Sequence, residues 1–122
     1  MSFKHDYDIE SRKKQSKQVI DKYYPYKVPV IIQKHKDDKE LISFKRRKYL
    51  IPCDMNYSAL MIVLRRKVLD NEKLPPSIAL FLFTESGNLL CNTDNILTIY
   101  QQHCDKDDGF LYLYYCSENT FG

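Results

Sequence analysis

Glycine is scarce in this chain, which has three in 122 residues. So few glycines do not suffice for the glycine-rich loops that cradle phosphate groups. No apolar run approaches the roughly 18 residues of a membrane-spanning helix. The first residues, Met1 to Asp6, contain no apolar signal region. We therefore expect a soluble single domain without a phosphate loop, a transmembrane helix or an export signal.

Closely spaced ligand residues are also missing. The four cysteines (Cys53, Cys91, Cys104 and Cys116) include no CxxC pair, and the three histidines lie in polar segments. Structural zinc sites require such pairs, and a catalytic thiol requires a neighbouring base that the sequence does not provide. We expect free thiols in a reducing compartment, no metal site and no enzymatic activity.

Charge is unevenly distributed. Residues 1–73 hold 18 Lys and Arg against 10 Asp and Glu, a net of +8, whereas residues 74–122 have a net of −5. Basic residues beside aromatic ones are typical of proteins that bind nucleic acid or anionic membranes, and solvated basic faces are the alternative. The small total charge and the absence of a nucleic-acid-binding signature argue against nucleic acid. The acidic run 105–108 lacks calcium-loop spacing and is interpreted as a solvated turn.

Apolar spacing predicts helices before the first strand. A helix that packs by part of one face is expected to end near Lys22 or Tyr23, because Pro25 disfavours a helical Tyr24. Residues 2–8 are predicted to form a separate short helix. Two later helices are predicted, the first with Asp54 or Asn56 as its N-cap and the second with Thr93 or Asp94.

Four strands are predicted from apolar and β-branched runs. Segment 45–52 opens with four cations and closes with Pro52, which is typical of an exposed edge strand. Leu41, Ile42 and Phe44 are expected to return to the core after a charged loop. The continuous apolar character of the last strand indicates burial on both faces. The strands cover residues 28–34, 45–52, 78–83 and 110–116.

The order of these elements predicts an α+β fold. The first and last strands would lie side by side and parallel in the middle of a four-stranded mixed sheet, with segments 45–52 and 78–84 at its edges. This is the β-grasp arrangement. We see no internal repeat and no interdomain linker.

Three motifs then indicate a family. They are Lys48-Tyr49-Leu50-Ile51-Pro52, Asp108-Gly109-Phe110-Leu111-Tyr112 and Glu118-Asn119-Thr120-Phe121-Gly122. In these motifs, and along nearly its whole length, the chain resembles the ubiquitin-like modifiers of autophagy. This is the autophagy-related protein 8 family, which includes the gamma-aminobutyrate-receptor-associated proteins and the microtubule-associated protein light chain three group. The resemblance implies a ubiquitin-like β-grasp core over 25–116, a helical extension over 1–24 and a flexible conjugation tail over 117–122.

The resemblance implies that the C-terminal glycine is covalently modified. The Gly122 carboxylate would be activated by an E1-like enzyme, passed to E2-like thioesters and joined to phosphatidylethanolamine, with a cysteine protease processing and deconjugating the chain. Glycine suits this chemistry because it has no Cβ to obstruct narrow clefts. The two acyl chains of the lipid make the anchor stable. The implied locations are the cytoplasm and the membranes of autophagosomes and cytoplasmic vesicles, with no cofactor beyond the attached lipid.

The resemblance also implies binding of aromatic-x-x-aliphatic motifs of cargo receptors, through strand addition at the edge 46–52. Carried over by position, the aromatic pocket is lined by Ile20, Pro29, Ile31, Lys48, Leu50 and Phe110. The aliphatic pocket is lined by Tyr49, Ile51, Pro52, Met55, Leu60 and Val63. Acidic residues beside the motif would be attracted by Arg46, Arg47, Lys48 and Lys67.

The chain departs from the family pattern at Ser16, where an acid is common, and at Leu60, where Phe is common. An ordinary core role is the alternative for each apolar pocket residue. The alternative function is a soluble peptide-binding module that is never conjugated.

Overall fold

The computed structural model describes residues 2–71, 79–91 and 93–117, without the side chains of residues 67–71. No helix in this part of the chain is long and apolar enough to span a membrane. The elements in chain order are α1 (Phe3–Asp6), α2 (Ile9–Tyr23), β1 (Lys27–Lys34), β2 (Lys48–Pro52), α3 (Tyr57–Asn71), β3 (Phe81–Thr84), α4 (Ile96–His103) and β4 (Leu111–Cys116).

The four strands form one mixed sheet in the order β2-β1-β4-β3. The central strands β1 and β4 are parallel, with Val30 opposite Leu111. The edge strands β2 and β3 are antiparallel to their neighbours. The predicted α+β fold, with the first and last strands adjacent and parallel, is confirmed.

Alternate side chains of the central strands belong to two separate hydrophobic clusters. Val28, Val30 and Ile32 belong to the larger core cluster, which also contains α3 and α4 residues such as Leu60 and Ile99. Ile31, between them, belongs to a smaller cluster with Phe3, Phe110 and Tyr112. Both faces of the sheet are covered. The central strands are therefore buried from Val28 to Gln33 in β1 and at five of six positions in β4, where the sequence indicated burial on both faces.

Two local predictions about loops and caps are wrong. The N-cap of α4 is Asn95, whose side chain accepts from Thr98 N at 2.9 Å, and not Thr93 or Asp94. Ile42 is 44% exposed and does not return to the core. Its carbonyl accepts from the Tyr115 hydroxyl at 2.6 Å, so the loop is held at this point by its backbone. Asn56 caps α3, which is one of the two residues predicted for that position.

The acidic run 105–108 is not a solvated turn. Asp108 is buried, and its Oδ2 lies 2.9 Å from Nε of Arg12 and accepts from the Tyr112 hydroxyl at 2.5 Å. Gly109 follows with φ +82°, and a Cβ there would lie 3.1 Å from the Ser16 hydroxyl oxygen. The turn therefore packs against α2, and glycine satisfies both its backbone conformation and its close contact.

Candidate functional site

Strand β2 offers one open edge in the part of the chain that the structure describes. The Arg47 carbonyl accepts from Ile32 N at 2.8 Å, and Cys53 N donates to the Tyr26 carbonyl at 2.8 Å. Odd-numbered residues of this segment therefore direct their backbone groups to β1. In an antiparallel ladder the intervening residues direct theirs the other way, so Lys48 and Leu50 present N–H and C=O groups to the open edge.

The side chains of β2 divide between the two faces of the sheet. Leu50 pairs with Pro29 and Lys48 with Ile31, on the face covered by α1 and α2. Tyr49, between them, packs against the core cluster on the α3 face. Apart from Pro52, which by this alternation shares a face with Leu50, the β2 members of the two predicted pocket sets therefore lie on opposite faces of the sheet.

The predicted aromatic pocket has a buried floor and an accessible rim. Ile31 and Phe110 are both 0% exposed, and Pro29 is also buried. Ile20 and Leu50 are half-buried and Lys48 is exposed. The structure brings the floor residues together with Phe3, which the sequence did not indicate, and whose ring centroid lies 5.3 Å from that of Phe110. A lone aromatic residue in a four-residue helix carried no signal that could have identified it.

The α2 residue that faces β2 is Gln15. Its Oε1 accepts from Nζ of Lys48 at 2.9 Å, so the two side chains bridge α2 and β2. Ser16, at the position where an acid is common in the family, is buried and donates its hydroxyl to the Asp108 carbonyl. Val19 lies one turn after Gln15 on the same face and is half-buried. The contact with Lys48, 33 positions away in the sequence, gave no local signal for Gln15.

The predicted aliphatic pocket also combines core and surface residues. Ile51 and Leu60 are buried in the larger core cluster, against which Tyr49 and Met55 are partly buried. Val63, on α3, is 43% exposed. Pro52 is half-buried. A ligand at this edge would meet the half-buried and exposed members, with the buried ones beneath them.

The cations near β2 have different partners. Arg46 donates from Nε to the Lys48 carbonyl at 3.1 Å, and its guanidinium lies 5.2 Å from the ring centroid of Tyr49. Arg47 pairs with Asp6 of α1 at 2.7 Å and so is turned toward the N-terminal helix. The Lys67 side chain lies outside the described part of the structure. Arg46 and Lys48 thus remain as the cations beside the open edge.

The end of β4 is tied to the loop that follows β1. Ser117 donates from its backbone N and its hydroxyl to Oδ2 of Asp38, at 2.5 and 2.7 Å. Gly122 lies outside the described residues, as does all of the predicted tail beyond Ser117. The described residues contain no cluster of His, Cys, Asp and Glu that could hold a metal ion.

A separate groove of about 840 Å³ opens between α1 and the ends of β1 and β3. Gln33, Phe83 and Tyr114 are among its lining residues, together with Lys34 and Arg47. None of the residues predicted for the two peptide pockets lines this groove.

Comparisons with known proteins identify relatives along nearly the whole chain. The family model described as autophagy protein Atg8, ubiquitin-like, matches residues 11–122. Autophagy-related protein 8d of Arabidopsis thaliana is 37% identical over 122 residues, covering 99% of this chain and 94% of the relative. Autophagy-related protein 8 of Schizosaccharomyces pombe is 37% identical over 121 residues, covering 98% and 93%. The protein of that name from Saccharomyces cerevisiae is 37% identical over 122 residues, covering 99% and 97%.

Proposed function

Because this chain belongs to the Atg8 family of ubiquitin-like autophagy proteins, we propose that it is a modifier conjugated through Gly122 to phosphatidylethanolamine on autophagosomal membranes. There it binds cargo receptors that carry aromatic-x-x-aliphatic motifs. In this role the chain is a substrate and an adaptor, and it performs no catalysis itself. Its partners are E1-like and E2-like enzymes, a deconjugating cysteine protease and motif-bearing receptors.

The conjugation proposal is supported by the family match, which extends through residue 122. In the final step the ethanolamine nitrogen attacks the carbonyl carbon of the Gly122 thioester. The C–S bond to the E2-like enzyme breaks, the thiol leaves, and an amide bond forms. The absence of a Cβ on glycine leaves this carbonyl accessible from both sides. The chain would then move between the cytoplasm and autophagosomal or other vesicle membranes.

The adaptor proposal is supported chiefly by the open β2 edge. Lys48 and Leu50 direct backbone N–H and C=O groups away from β1, and a peptide strand can pair with such groups. On the α2 side of this edge lie the half-buried side chains of Ile20 and Leu50, and on the α3 side lie Met55 and Val63. Alternate residues of an added strand point to opposite faces, so an aromatic and an aliphatic side chain three positions apart can enter different pockets.

The order of the two pockets also gives the bound peptide a direction. Lys48, the first residue of β2, belongs to the aromatic pocket, whereas Pro52, the last, and Met55, three residues further on, belong to the aliphatic one. The aromatic residue precedes the aliphatic one in the motif. The added strand therefore runs parallel to β2, and residues that precede the motif pass Arg46.

The experiment that tests the proposal is conjugation reconstituted from purified components. The wild-type protein is incubated with the E1-like and E2-like enzymes, ATP and vesicles that contain phosphatidylethanolamine, and Gly122→Ala is the matched control. We expect a faster-migrating lipidated band from the wild type and a strong reduction with Gly122→Ala. Equal bands from both proteins, or none from the wild type, contradict conjugation at Gly122.

Motif binding is measured on the same preparations by calorimetry. A wild-type protein that binds an aromatic-x-x-aliphatic peptide but gives no lipidated band is the outcome expected of the soluble module. Conjugation without peptide binding contradicts the adaptor half of the proposal alone.

A further inference from the structure

Asp38 is a buried carboxylate with four hydrogen-bond donors. Its side chain lies in the loop after β1 and belongs to a residue that is 2% exposed. Oδ1 accepts from the backbone N–H groups of Glu40 and Leu41, at 2.9 and 3.0 Å. Oδ2 accepts from the backbone N–H and the hydroxyl of Ser117, at 2.5 and 2.7 Å. One carboxylate therefore organises its own loop with one oxygen and holds the residue after β4 with the other.

The loop that carries Asp38 is itself attached to β4. His35 N donates to the Tyr115 carbonyl at 2.8 Å, and Phe44 N donates to the Tyr115 hydroxyl at 3.1 Å. The rings of Phe44 and Tyr115 stack with their centroids 4.6 Å apart. Nζ of Lys34 donates to the carbonyl of Asp38. These contacts attach the loop that carries Asp38 to the central strands of the sheet.

We propose that Asp38 is a positioning residue for conjugation, because its carboxylate clamps Ser117 and so holds the residue five positions before Gly122 at a fixed place on the core. The proposal rests on the proposed conjugation at Gly122. An enzyme that acts on Gly122 has to hold the core and the residues between the core and the reacting carbonyl. When Ser117 is already fixed, its ordering entropy is not lost on binding, and the starting point of the segment is the same in every molecule.

The chemistry of the site keeps the clamp closed at neutral pH. Burial by itself raises the pKa of Asp38, but the hydrogen bonds from Ser117, Leu41 and Glu40 outweigh it, and the pKa lies below its ordinary value of 3.8. The carboxylate is therefore ionised under physiological conditions, and all of its bonds to Ser117 are charge-assisted.

The test compares the initial rate of conjugation at increasing concentrations of this protein. Asp38→Asn preserves the size of the side chain, but its amide NH₂ is a donor and stands where the wild-type carboxylate accepts hydrogen bonds. Ser117→Ala removes only the hydroxyl bond. We expect the KM for the E2-like step to rise about five- to tenfold with Asp38→Asn, since roughly one residue must be ordered anew. A smaller rise is expected with Ser117→Ala, and kcat should change little in both. Asp37→Asn is the matched control, because Asp37 is exposed and adjacent.

A rescue variant separates positioning from general damage to the fold. Asp38→Ser combined with Ser117→Asp exchanges the donor and the acceptor, and a serine at position 38 can still cap its own turn. We expect this double variant to recover most of the wild-type KM. Motif-peptide affinity should be unchanged in all variants. An unchanged KM in Asp38→Asn, or a loss that is matched by an equal loss of peptide affinity, overturns the proposal.

The clamp has a second readout that does not depend on conjugation. Hydrogen exchange of the Ser117 amide should be slow in the wild type and at least about tenfold faster in Asp38→Asn. Equal exchange in the two proteins overturns the clamp. If the wild type is not conjugated but its Ser117 amide is protected by Asp38, the proposed function fails and the structural clamp stands, so the two failures are distinguishable.

Discussion

Asp108 joins segments that are far apart in the sequence. Its carboxylate accepts from Phe110 N at 2.9 Å and from Tyr112, and it pairs with Arg12 of α2. Arg12 also donates to the carbonyl of Tyr7 at 2.7 Å, which ties the end of α1 to the same point. A buried carboxylate in this position is stable only because its charge is paired and its lone pairs are occupied.

Removing Arg12 should therefore be costly. We expect Arg12→Ala to lower the free energy of unfolding by about 3 kcal/mol, because it leaves the Asp108 charge buried and unpaired. Lys17→Ala is the control, since the ion pair of Lys17 with Asp21 is exposed and should contribute no more than about 0.5 kcal/mol. Urea unfolding at neutral pH measures both. Similar values for the two variants would show that Asp108 does not depend on Arg12.

The role of Asp108 could not be predicted from local sequence. A run of three aspartates within four residues looks like a surface turn, and the residue that neutralises it is 96 positions away. In the same contact region the Ser16 hydroxyl bonds to the Asp108 carbonyl across 92 positions. The helix period was recognised correctly, but its phase relative to the sheet depends on this distant contact, and therefore Gln15 was missed.

Elements whose composition matches their position were predicted well. The continuous apolar sequence of β4 predicted burial on both faces, and the strand is buried in this way. The cations and Pro52 of β2 predicted an edge strand, because they disfavour further pairing. The N-cap of α4 was wrong because Thr93, Asp94 and Asn95 all have suitable side chains, and local preference does not choose among them. Which backbone groups of β2 face β1 and which face the open edge could be determined only from the structure.

Proline substitutions along β2 test that backbone direction. Leu50→Pro removes an N–H that faces the open edge, so the fold should be retained while motif-peptide affinity falls at least about tenfold. Tyr49→Pro removes an N–H that faces β1, and we expect it to destabilise the domain by at least about 2 kcal/mol. Leu50→Ala separates the lost side chain from the lost donor.

Thermal unfolding and calorimetric titration with an aromatic-x-x-aliphatic peptide measure these effects. The prediction requires that the two proline variants differ in kind, with one impaired in binding and the other in folding. If Leu50→Pro unfolds the protein, or binds as tightly as Leu50→Ala, the assignment of the open edge is wrong.

At the scale of the whole molecule, ionised side chains attach both ends of the described part of the chain to the core. Asp38 holds Ser117, and Asp105 pairs with Lys4 of α1 at 2.7 Å. Burial alone would raise the pKa of Asp105, but hydrogen bonds from Lys4 and from the backbone of its own turn lower it. The pKa of Asp38 is lowered in the same way by Ser117 and its loop.

These lowered pKa values predict the direction of the acid response. A carboxyl group whose pKa is lower in the folded state contributes stability above its unfolded pKa and loses it as the pH falls through the folded value. The wild type should therefore lose stability as the pH falls below about 4, the ordinary pKa of an aspartate, and through the lower folded values. Asp38→Asn should lose less over the same range. Parallel pH profiles from urea unfolding of the two proteins would contradict this account of Asp38.

The sheet order and family were predictable because they depend on the order of apolar runs and on motifs read directly from the chain. The position of α1 could not be predicted, because it depends on the contacts of Phe3 with Phe110 and of Asp6 with Arg47, which are distant in the sequence. The candidate site residues follow the same division. Those on β2 were predicted from its motif, whereas the contacts of Gln15, Phe3 and Asp38 became visible only when the fold brought their partners together.

The most direct test of the central claim is mass spectrometry of the C-terminal proteolytic peptide after reconstituted conjugation. The proposed function predicts that the Gly122 carboxylate is joined through an amide to the ethanolamine nitrogen of the lipid, with fragment ions that assign the added mass to residue 122. A lipidated protein whose added mass maps to any other residue, or a C-terminal peptide that stays unmodified under conditions where a relative is lipidated, would contradict it.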